Sequence, residues 1–127
     1  TFFSVDSYLI KPIDPEKLLK EVATLLSQGV SNKNVLVVGE NPSETKVLAD
    51  LLRQKGYPVF EVNTAEELTP RAMAVRPSLI IMDAAWAESP DLINTLRSEQ
   101  DLKDVFFLVL SNDKPTSGEN NYDTSNA

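Results

Sequence analysis

The sequence predicts an α/β protein, a doubly wound parallel sheet of five strands with helices on both faces. Three observations carry this expectation. The apolar runs Val35-Leu36-Val37-Val38 and Leu79-Ile80-Ile81-Met82 lack the alternation of a half-exposed strand, and they suit strands buried on both faces. Such runs alternate with amphipathic helical segments, giving β-α-β-α-β-α-β-α-β and then a polar tail. Four of the five strand candidates also end in a polar residue, Lys11, Glu40, Asp83 or Ser111. In a parallel sheet these ends lie together, where ligands of open α/β sheets gather.

The first strand candidate is Tyr8-Leu9-Ile10, ended by Lys11-Pro12 because proline removes a ladder donor. Asp14-Pro15-Glu16 then reads as N-cap, first helical residue and dipole-favourable acid, opening a helix over 15–27. Leu18, Leu19, Val22, Leu25 and Leu26 recur at helical spacing, and Gly29 stops it. After a polar linker comes the strand 35–38, ending in Gly39-Glu40. A helix opens at Asn41-Pro42 or Ser43 and closes at Lys55-Gly56, with Val47, Leu48, Leu51 and Leu52 on one face. The third strand, 57–62, carries Pro58 and is expected at a sheet edge.

Thr64 and Glu67 form a capping box for a helix to about Val75. Pro70 inside it predicts a kink or a shortened start. The strand ending in Asp83 follows, then a helix capped by Ser89-Pro90-Asp91, with Leu92, Ile93 and Leu96 inward. Val105-Phe106-Phe107-Leu108-Val109-Leu110 is the fifth strand. Residues 114–127 are rich in Ser, Thr, Asn, Gly and Pro without periodicity, a loop or disordered tail by composition. The organisation expected is residues 1–30 as one strand and helix, 31–113 as a body of four strands and three helices, and 114–127 as the tail.

Composition narrows the function. The chain has 127 residues, 42% apolar and 24% charged, enough for one ordinary globular core. A net charge of −7 argues against binding nucleic acid or a membrane surface. With no cysteine there are no disulfides or thiolate metal sites, and with no histidine there is no His-based catalysis or metal ligation. No apolar run approaches the roughly 18 residues of a membrane span, and no secretory signal opens the sequence. A cytoplasmic location is expected. The absence of a Gly-rich phosphate loop, histidine and cysteine also disfavours a small-molecule enzyme.

The polar strand ends share a chemistry. Glu40 and Asp83 offer hard oxygens for Mg²⁺, and a backbone carbonyl just after Asp83 offers a third. A carboxylate can act as nucleophile toward phosphorus, giving an aspartyl phosphate. The Lys11 ammonium would neutralise charge on the transferring oxygens, and the Ser111 hydroxyl would hydrogen-bond one of them.

These residues resemble a response-regulator receiver domain, the phosphoacceptor module of two-component signalling. VLVVGENP is similar to the family's first strand and acidic turn, PSLIIMDAAW to its third strand with the phosphoacceptor, and FFLVLSN to its fourth. DSYLIKPIDPEKLLKEVATLL is similar to its fifth strand and last helix, including the Lys-Pro pair. The resemblance covers about residues 6–113. It implies a flavodoxin-like sheet of order 2-1-3-4-5, with Asp83 phosphorylated by a histidine kinase or phosphotransfer protein. It further implies Mg²⁺ held by Glu40, Asp83 and the Ala85 carbonyl. Lys11 and Ser111 would contact the phosphoryl group, and Ser111 and Tyr8 would be the switch pair.

The sequence departs from the family in two ways. Gly39 stands where the first of two adjacent acids is usual, so the Mg²⁺ site is expected to be weakened; Asn112 replaces a small residue after the hydroxyl, and Trp86-Ala87 replaces Met-Pro. The alternative to phosphotransfer is a degenerate pseudo-receiver, an interaction module that works without phosphorylation. The order is also changed, because the family's last strand and helix come first and its fourth helix is missing. That arrangement fits a piece of tandem receivers, a permuted domain, or chains that exchange the first segment. At ~3.3–3.6 Å per extended residue, the linker after the first helix is long enough for the chain to complete its own sheet, with right-handed crossovers. The missing helix predicts a bare face on the last two strands, covered by the tail, by Phe2 and Phe3, or by a second copy in a homodimer.

Overall fold

The structure is a computed structural model that describes residues 6–30, 32–87 and 90–112. Its strands are β1 (Ser7–Ile10), β2 (Val35–Val38), β3 (Val59–Val62), β4 (Leu79–Asp83) and β5 (Phe106–Ser111). Its helices are α1 (Pro15–Leu26), α2 (Pro42–Arg53), α3 (Ala65–Val75), α4 (Ala84–Ala87) and α5 (Pro90–Ser98), with a 3₁₀ turn at Gln100–Leu102. All five strands are parallel, in the order β1-β5-β4-β2-β3. Read from the other edge, this is the order 2-1-3-4-5 with the first strand in the chain taking the fifth place. β1 pairs with β5 of its own chain, in the register Tyr8–Val109 and Ile10–Ser111.

The apolar runs are strands because both of their faces are covered. Alternate side chains of a strand point to opposite faces. Leu36, Val38, Ile80, Met82, Phe107 and Val109 form one core with residues of α3, α4 and α5. Val35, Val37, Leu79, Ile81, Leu108 and Leu110 form the other with residues of α1 and α2. Ile80, Ile81 and Phe107 are fully buried, and each such side chain stabilises the fold by ~1.5–3 kcal/mol relative to exposure. β3 is the edge strand its proline foretold, and it begins at Val59, after Pro58.

The caps follow the sequence. Asp14, Asn41 and Thr64 accept from backbone N–H groups of the first turns of α1, α2 and α3. Gly29, beyond the end of α1, takes φ +76°, a left-handed conformation that costs glycine least. Three local readings change. α3 starts directly after its Thr64 cap and carries Pro70 inside it, so its start is not shortened. α4 and the 3₁₀ turn were not foreseen, and α4 puts Trp86 and Ala87 into the core. The Ser89 cap, Phe2, Phe3 and the tail lie outside the described residues.

On the face expected to be bare, Phe107 and Val109 are fully buried and Ser111 nearly so. Arg97 of α5 lies over the Phe107 ring, 4.8 Å from its centroid, an arrangement that favours a cation. Exposure falls on the outer strand instead, with Tyr8 half-buried and Ile10 41% exposed. The Asp6 carboxylate ties β1 down by accepting from Phe107 N at 2.9 Å and from Arg97 Nη2 at 3.1 Å. No described helix is long and apolar enough to cross a membrane.

Candidate functional site

The carboxyl ends of β1, β5, β4 and β2 meet on one side of the sheet. Asp83 is in register with Leu110, and Ile10 with Ser111, so the ends of three strands fall within a residue of one another. Asp83 has the parity of Leu79 and Ile81, which face α1 and α2. Lys11 follows β1 and is anchored by its own backbone, its N–H donating to the Ser111 carbonyl at 2.7 Å. The Lys11-Pro12 peptide is cis. From there the side chain passes the end of β5 and reaches Asp83.

Lys11 Nζ donates to Asp83 Oδ1 at 2.6 Å, a short charge-assisted hydrogen bond. Asp83 Oδ2 accepts from Ala85 N at 3.1 Å, so the acid that ends β4 also holds the first turn of α4. Lys11 has a second acid, Glu44 of α2, whose Oε1 lies 3.3 Å from Nζ. Partial burial alone would push the Lys11 ammonium down. The hydrogen bond and charge of Asp83, followed by those of Glu44, outweigh it and hold Lys11 above the ordinary lysine range.

The structure thus brings Lys11 and Asp83 into direct contact, with Ser111 at the adjoining strand end, one residue past the Asp83–Leu110 register. Ser111 is buried at the end of β5, and Tyr8 lies two residues back along β1 on the same face. Ala85 is exposed just past Asp83, and so is Glu40 just past β2. Asn112 is exposed as well. Trp86 and Ala87 pack into the core. Glu44 escaped the sequence reading, because an acid in the first turn of a helix is already explained by the helix dipole.

Gly39 is level with Asp83, since Val38 pairs with Met82. A Cβ there would lie 3.1 Å from Thr45 Cγ2, and Thr45 is buried. Asn63 Nδ2 donates to the Gly39 carbonyl at 2.8 Å and to Thr45 Oγ1 at 3.0 Å. The place of a first acid is therefore occupied by neutral packing. Among the described residues no group of three or more acidic, His or Cys side chains could hold a metal. Of the oxygen donors expected from the sequence, Asp83 ends β4, Ala85 follows it in α4 and Glu40 follows β2, a sparse set of the kind that suits an ion keeping most of its waters.

An apolar groove of about 440 Å³ runs from this site between the β1–α1 loop and α2. Pro12, Ile13, Val47, Leu48 and Leu51 line it, with Lys11 and Glu44 at the charged end.

No family model matches the sequence, and no curated protein does. Among solved structures the chain is similar to the crystal structure of a response regulator receiver protein from Pseudomonas putida. The TM-score is 0.55 at 26% identity, covering 68% of this chain and 73% of that one. With its strand order and its ring of polar strand ends, the chain has the α/β flavodoxin-like fold of that receiver protein.

Proposed function

We propose that this chain is a phosphoacceptor receiver domain of a two-component phosphorelay, taking a phosphoryl group on Asp83 from a histidine kinase or phosphotransfer protein. The observation that carries the reading is the 2.6 Å contact of Lys11 Nζ with Asp83 Oδ1 at the carboxyl end of a parallel sheet. A carboxylate held there by an ammonium and a backbone N–H is oriented, with a cation beside it. One of its oxygens attacks phosphorus while the bond from phosphorus to the donor's nitrogen breaks, and that nitrogen keeps the electron pair. No proton need pass through a side chain, which agrees with a site lacking histidine.

Positioning and charge neutralisation are what such a transfer asks of the protein. Lys11 supplies the cation, moving from the carboxylate to the new phosphoryl oxygens. A Mg²⁺ ion would be held by Asp83, Glu40 and the Ala85 carbonyl, and when bound it supplies further neutralisation. The added negative charge then draws in the Ser111 hydroxyl, and Tyr8 on the neighbouring strand follows as the switch. The groove that begins at Lys11 and Glu44 seats the donor protein, and Lys11 joins that end of it to the reacting carboxylate. In this reading the domain is an acceptor rather than an enzyme, and it works in the cytoplasm.

Incubation with acetyl phosphate and Mg²⁺, followed by intact-mass measurement, tests this. We expect a phosphoryl adduct that is absent in Asp83→Asn. No adduct on the wild type would contradict the proposal and leave a phosphorylation-independent interaction module as the reading of the fold.

A further inference from the structure

We infer that Glu44 is a positioning residue of this site: it shares the Lys11 ammonium with Asp83 and thereby slows phosphoryl acceptance until Lys11 is released. The inference rests on the reading of Asp83 as phosphoacceptor. Lys11 Nζ lies 2.6 Å from Asp83 Oδ1 and 3.3 Å from Glu44 Oε1, so one ammonium bridges two carboxylates on different elements. Capping does not require the Glu44 side chain. Asn41 Oδ1 already accepts from Ser43 N and Glu44 N at the start of α2. Glu44 reaches across to Lys11 instead.

Exposure ranks the three groups by their access to an incoming donor. The Glu44 side chain is 57% exposed, Asp83 32% and Lys11 20%. Glu44 is therefore the outermost charge, met first by an anionic phosphoryl group. It acts against transfer in two ways. Its own charge repels the donor, and it competes for the cation that the transferring oxygens need as charge accumulates on them.

The test uses the initial rate of labelling by acetyl phosphate in the wild type, Glu44→Gln and Glu44→Ala, each measured across a range of salt concentrations. Both variants should label roughly two- to fivefold faster, the factor an exposed ion pair supplies. The gain should shrink as salt is raised. Loss of a merely structural contact elsewhere on α2 would not give a gain that depends on salt. Equal or slower labelling of the variants, or a gain that salt does not reduce, overturns the inference alone. No labelling of any of the three overturns the phosphoacceptor reading and this inference with it.

Discussion

The two halves of the carboxyl edge of the sheet have been built differently. The half made by β1, β5 and β4 keeps its charges: Lys11 bridges Asp83 and Glu44, and its backbone is fixed to Ser111. The half made by β2 and β3 has neutral packing at the strand end itself, with Gly39 against the Thr45 methyl and its carbonyl satisfied by Asn63, while its charges lie elsewhere, Glu61 paired with Arg53 and Glu40 exposed. Both halves occupy the same level of the same sheet. A strand end therefore offers a position for chemistry, but it is the partner on the next element that decides whether a charge can stay there. Asp83 has an ammonium and a backbone N–H. An acid at Gly39 would meet a buried threonine.

The largest effect separating the halves should come from the charged one. Lys11→Ala leaves Asp83 and Glu44 facing each other without a cation, and it removes the donor for the transferring oxygens. Labelling by acetyl phosphate should fall on the order of 10²-fold, the size of losing one preorganised donor. Intact-mass time courses measure this. A rate within twofold of the wild type would show that the contact with Asp83 is structural only.

The neutral half can be sharpened by restoring its acid. Gly39 is not in the left-handed region, so space and not backbone conformation opposes a side chain there. Gly39→Asp should cost about 1 kcal/mol through overpacking against Thr45, read from denaturant unfolding. Adding Thr45→Ser removes the opposing methyl. The double variant should recover most of that loss and bind Mg²⁺ more tightly than the wild type. If Gly39→Asp alone is neutral and gains Mg²⁺ affinity, the neutral half is less tightly packed than its distances imply.

The smallest effect is on pH dependence. Lys11 titrates above its ordinary range in the folded protein, so its ion pairs contribute fully below the unfolded-state lysine value. They are lost only as pH rises through the higher folded value. The stability difference between the wild type and Lys11→Met should therefore stay flat from pH 6 to about pH 10 and shrink above it. A difference that fades already between pH 7 and 9 would place the ammonium in another environment.

Most of the architecture was legible because it rests on local or two-faced signals. VLVV, LIIM and FFLVL announce strands by being apolar on both faces, and the structure buries both. Asp14, Asn41 and Thr64 mark helix starts by chemistry that acts within three residues. The partnership of Lys11 with Asp83 was also within reach, since parallel strands bring their ends together whatever the separation in sequence. What escaped was set by tertiary contact. Glu44 looked like a dipole-favouring acid until α2 was placed beside the β1–α1 loop. α4 has few helical signals of its own, and it forms where Asp83 accepts from Ala85 N and Trp86 reaches the core. Thr45 carries no signal of its own in the sequence, and only the fold shows its methyl filling the space beside Gly39.

The central claim is that phosphoryl chemistry at this edge occurs on Asp83 and nowhere else. Borohydride reduction after labelling with acetyl phosphate converts an aspartyl phosphate to homoserine, and peptide mass mapping locates it. The account predicts homoserine at position 83 alone, in the wild type and in Glu44→Gln. Reduction product at position 40 or 44, or none at all, would contradict it.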